Sequence, residues 1–160
     1  MIQNLLPGIQ HLQNVHPLVV HFPIAFLSGS ALFYVLALLT KRETMATTAF
    51  SLLIIGTLGA AAAVGTGIYA EPVVILAPSV RGHLLEKHQD FMIMTLCVSA
   101  ILAIWAFMAR PFPRKGRVLF ILLLFALLGV MSVGADYGAR MVYDYNAGGN
   151  ACPQPIEFVK

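Results

Sequence analysis

Four long apolar stretches constrain this chain more than any other feature. They run over residues 18–39, 45–69, 90–109 and 118–135, and each is closed off by charge or by proline and glycine. A helix needs about 20 apolar residues to cross a bilayer. Inside hydrocarbon every backbone polar group must find a partner within the protein, which leaves only helices and closed barrels. No regular strand alternation competes with the helical reading. The charge content agrees. Only 11% of the residues are charged and 59% are hydrophobic, whereas a soluble domain carries about 25% charged residues. The expected architecture is all-α: a polytopic membrane four-helix bundle, a single domain over residues 1–160 with an irregular tail from 136 to 160.

Lysine and arginine set the expected orientation, because short cytoplasmic loops collect them. Lys41 and Arg42 lie between the first two stretches, and Arg110, Arg114, Lys115 and Arg117 between the last two. With four spans these loops share one side. Both termini and the linker "EPVVILAPSVRGHLLEKHQ" then face outward, N-out and C-out. In that linker "VVILAPSV" is too short to span and is expected to lie along the interface or cap the bundle. The first 15 residues contain no Lys or Arg, so the basic region of a cleaved signal is missing and the first stretch reads as a retained helix. The net charge of +3 follows from loop placement and calls for no nucleic acid. Cys97 and Cys152 are expected at different depths and unpaired, and no C-x-x-C-H marks covalent haem.

All five histidines fall at the outer end: His11, His16 and His21 before or in the first span, His83 and His88 before the third. Two pairs share the spacing H-x-x-x-x-H. On a helix that spacing turns side chains about 140° apart, so neither pair grips one ion alone. One histidine from each of spans one and three is expected to meet across the bundle, where cofactor sites are built from facing helices. His21 and His88, the more membrane-proximal members, are the leading candidates. Pro23 cannot donate to the Val19 carbonyl, so the helix is expected to kink or restart near His21. Pro17 suits a first turn, with His16 near its cap.

Glycine adds a second feature. Gly59, Ala63 and Gly67 recur every four residues on span two, and Gly134 and Gly138 form G-x-x-x-G on span four. Small residues let helices approach closely and leave room for a flat macrocycle. Two imidazoles flanked by glycines suit a b-type haem, with His21 and His88 on the iron and Arg81, Lys87 or Arg140 on the propionates. Zinc or copper held by His16, His21, His83 and His88 is an alternative, as is no cofactor at all. Asp136 and Arg140, four residues apart, are expected to pair. Tyr137, Tyr143 and Tyr145 fit an interfacial belt.

The stretch "HPLVVHFPIA" (His16 to Ala25), a histidine at the entrance of span three (His88), and the close "GADYGARMVYDYNAGG" resemble a bacterial membrane family, the domain of unknown function numbered 2231. The resemblance covers nearly the whole chain, and His83 lies outside it. It implies four transmembrane helices. It also implies redox company, because similar domains occur fused or adjacent to c-type cytochrome or Rieske-type modules. The resulting expectation is a small electron-transfer protein or subunit of the bacterial inner membrane, carrying haem b on its periplasmic side. One haem near one face needs quinone or a partner with a second centre to move electrons further. The alternatives are a cofactor-free structural or assembly subunit and a histidine-based metal-binding membrane protein. No nucleophile–base–acid set is recognisable, so the chain is not expected to be an enzyme by itself.

Overall fold

The computed structural model describes residues 14–109 and 111–148. Four helical spans account for most of them: His16–Thr40, Glu43–Ala70, Pro78–Ala109 and Arg117–Tyr143. Each is long and apolar enough to cross a membrane. The spans exceed the expected boundaries most at the histidine end, where the fourth runs to Tyr143. Residues 136–143 are therefore helical rather than tail.

The first span packs on the second and fourth, and the third also packs on the second and fourth. Spans one and three therefore face each other across a diagonal. The core between them holds Leu27, Tyr34, Leu53, Leu102, Phe120, Leu124 and Leu127, all fully buried. Leu32, Leu58, Ile101, Leu122 and Phe125 point outward and are exposed, as expected where the solvent is lipid.

The first span breaks once. Its helix covers His16–Val19, turns at Val20, and resumes over His21–Thr40. Pro23 explains the break, since it has no N–H to give to the carbonyl four residues earlier. The third span begins with a short helical turn, Pro78–Val80, and a π-helical turn, Arg81–Leu85. Ala77, Val80 and Leu84 bury themselves against Met141 of the fourth span. The segment expected either to lie at the interface or to cap the bundle thus caps it.

Buried hydroxyls are satisfied within the bundle. Ser30 donates to the Ala49 carbonyl at 2.9 Å, Thr95 to Phe91 at 2.8 Å, and Ser99 to Leu96 at 2.9 Å. Only the Ser30 bond crosses between spans, and such bonds contribute about 0.6 kcal/mol in a bilayer.

Close packing of spans one and two rests on Gly56. A Cβ there would lie 2.8 Å from Leu27 Cδ2 and 3.0 Å from the Leu27 backbone nitrogen. Nothing lies within 4 Å of a Cβ at Gly129. Gly56→Ala should therefore destabilise the fold by about 1–3 kcal/mol through overpacking. Gly129→Ala should be neutral or slightly stabilising, because alanine favours helix. Thermal unfolding of the two variants in one detergent distinguishes them, and equal midpoints would remove Gly56 as a packing determinant.

Candidate functional site

His16 and His88 meet across the diagonal. Their ring centroids are 6.3 Å apart and their planes nearly perpendicular, at 84°. Both are partly buried. A histidine from span one does meet one from span three, but His16 takes the place expected for His21. His21 is exposed on the outer face of its helix. The five-residue spacing explains the exchange: with the two rings about 140° apart, turning His16 inward turns His21 outward.

Each ring is anchored by the span beside it. His88 Nδ1 lies 2.7 Å from the Gly134 carbonyl oxygen. A carbonyl only accepts, so Nδ1 carries the proton. His16 Nδ1 lies 3.2 Å from Thr66 Oγ1. The Thr66 hydroxyl gives its single proton to the Ala62 and Ala63 carbonyls, at 2.9 and 3.1 Å. Its oxygen is left as the acceptor, so His16 Nδ1 is also the donor. In a neutral imidazole one nitrogen donates and the other accepts. Both rings therefore present a bare Nε2.

The glycines seat the rings. A Cβ at Gly67 would lie 3.2 Å from His16 Cε1, and one at Gly138 would lie 3.0 Å from His88 Cε1. The room predicted for a macrocycle is, at these two positions, filled by imidazole. Gly134 serves a different contact: a Cβ there would collide with the Met92 side chain and with Phe91 Cβ. Phe91 in turn stacks on Tyr137 at 5.8 Å, which draws that tyrosine into the bundle. Tyr143 is exposed and Tyr145 half-buried.

The remaining candidates lie apart from the pair. Arg81 is held in the linker, with Nη1 3.4 Å from Glu71 Oε1 and Nη2 3.2 Å from the Val74 carbonyl. Gln89 donates to the other Glu71 oxygen at 2.9 Å. Arg140 pairs with Asp144 at 3.7 Å rather than with Asp136; both spacings are four residues, and the pair that forms lies at the helix end. Lys87 is exposed. His83 is exposed, with Nδ1 2.8 Å from the Ser79 carbonyl. Among the described residues no three His, Cys, Asp or Glu side chains gather to hold a metal, so the four histidines do not converge. Cys97 is free and exposed. His11 and Cys152 lie outside the described residues.

Four long apolar spans, an all-helical fold and polar groups concentrated at the ends define a multi-pass membrane protein of the four-helix class, in contact with the lipid bilayer. The chain belongs to the family described as "Predicted membrane protein (DUF2231)", whose model matches residues 12–151. No curated protein and no solved structure matches it.

The tautomer assignment is open to measurement. In ¹⁵N spectra of histidine-labelled protein, His16 and His88 should both appear as the Nδ1–H form when neutral. Thr66→Val should perturb His16 and leave His88 in place, at a cost of about 1 kcal/mol for the lost bond. An Nε2–H signal from either ring would contradict the assignment.

Proposed function

We propose that this protein is a small integral-membrane electron-transfer protein, or the corresponding subunit of a larger redox complex, which holds b-type haem between His16 and His88. The observation that carries the reading is the ligand count. Two imidazole rings, from spans one and three, stand 6.3 Å apart between centroids, and no third ligating side chain joins them among the described residues. Zinc in protein sites wants four ligands. An iron that brings four ring nitrogens of its own needs only two.

The donor set fits on two further points. The 6.3 Å between ring centroids would leave room for one ion bonded to both rings at about 2.0–2.1 Å. Metal-binding histidines also donate their other ring nitrogen to a carbonyl or similar acceptor, which fixes the tautomer. Gly134 and Thr66 supply those acceptors here.

In this reading His16 and His88 would hold the iron, and Gly67 and Gly138 seat the two rings by leaving space. Lys87 or Arg140 would pair with the propionates; Arg81 is less available, being engaged by Glu71. Haem iron supplies one-electron exchange, with a potential set by its axial ligands, burial and nearby hydrogen bonds. Lysine and arginine in the two short loops favour an inner-membrane orientation with the histidine end in the periplasm. A c-type cytochrome or Rieske-type module on that side, or a quinone in the membrane, is the partner class that such a centre requires.

The experiment is a dithionite-reduced minus oxidised spectrum of protein purified after expression with ample haem. A sharp b-type α band is expected. It should vanish in His16→Ala and His88→Ala and persist in His21→Ala. Good yield without pyridine haemochrome would refute the haem reading and leave a cofactor-free assembly subunit or a copper or zinc protein, which metal analysis separates.

A further inference from the structure

The opposite end of the bundle carries a cluster of cations remote from the histidines. Lys41 and Arg42 of the first loop, Arg114 of the third and Arg117 at the start of span four line one cavity of about 370 Å³. Its floor is apolar, formed by Ala37, Ala46 and Phe112. Glu43 is the single carboxylate in its lining. Among the described residues none of these four cations forms a salt bridge.

Of the four cations, Arg117 is fixed in place and Lys41, Arg42 and Arg114 are exposed. Arg117 donates from Nε to the Pro113 carbonyl at 3.0 Å and lies over the Phe112 ring at 5.1 Å. Lys41 occupies a left-handed backbone position, φ 57°, where a helix usually ends in glycine. Helices two and four also begin at this cavity, and neither has a side-chain cap on its first N–H groups. Such helix starts favour anions.

A second depression of about 390 Å³ adjoins the first, since Glu43 and Pro111 line both. It is bounded by Phe50, Ala106 and the outward-facing Phe107, so it opens toward lipid. A basic pocket continuous with an apolar groove matches a molecule with an anionic head and an acyl tail. Basic pockets between transmembrane helices are known to take lipid headgroups.

We propose that this cavity binds the phosphodiester headgroup of an anionic phospholipid, with an acyl chain along the Phe107 groove. The test is native mass spectrometry of the full chain in detergent with phosphatidylglycerol, phosphatidylcholine or inorganic phosphate added. Phosphatidylglycerol should be retained at least tenfold more strongly than phosphatidylcholine. The double variant Lys41→Gln/Arg114→Gln should lose that preference. Ala46→Leu, which fills the cavity without changing charge, should also weaken retention and serves if the charge variants fail to fold. Equal retention of both lipids would overturn the proposal. So would an unchanged preference in Ala46→Leu, or phosphate binding as tightly as the lipid, which would mark a soluble-anion site.

Discussion

Missing Cβ atoms govern this structure. Between helices in lipid there is no hydrophobic gain to drive association, so contact depends on close packing. At Gly56 a side chain would strike Leu27; at Gly59 it would crowd Phe22 and Pro23; at Gly134 it would strike Phe91 and Met92. These contacts set the distance between spans one and two and between spans three and four. The same economy at Gly67 and Gly138 makes room for His16 and His88. Helix spacing and the histidine site are thus two results of one cause.

The two ends of the bundle are chemically unlike. One gathers imidazoles whose protons are committed to Thr66 and Gly134. The other gathers guanidinium and ammonium groups that form no salt bridge among the described residues, with Glu43 the one carboxylate lining their cavity. Between them, Ser30, Thr95 and Ser99 spend their hydroxyl protons on backbone carbonyls. The midplane is therefore internally satisfied at those positions, and the chemistry lies at the rims.

Fold class and span number were legible in the sequence because hydropathy over about 20 residues reports the bilayer directly. The meeting of spans one and three was legible too, since alternate helices enter from the same side. The choice of His16 over His21 was not. Depth favoured His21, but rotation about the helix axis decides which ring faces inward, and four nearly uniformly apolar spans carry little rotational signal. The partner of Arg140 was hidden for a similar reason, because Asp136 and Asp144 stand at equal spacing on either side. Arg81 looked available until the linker folded back and brought Glu71 and the Val74 carbonyl to it. Thr66 was missed altogether, although its position one residue before Gly67 and level with His16 was a usable signal.

The histidine pair also divides the chain in a telling way. His16 and its supports, Thr66 and Gly67, belong to the first helical hairpin. His88 and its supports, Gly134 and Gly138, belong to the second. Each hairpin can enter a membrane as a unit carrying half a site, already oriented. The two halves become a site only at the seam where the hairpins dock. Any ligand that bridged the two rings would cross that seam and would staple one half of the molecule to the other.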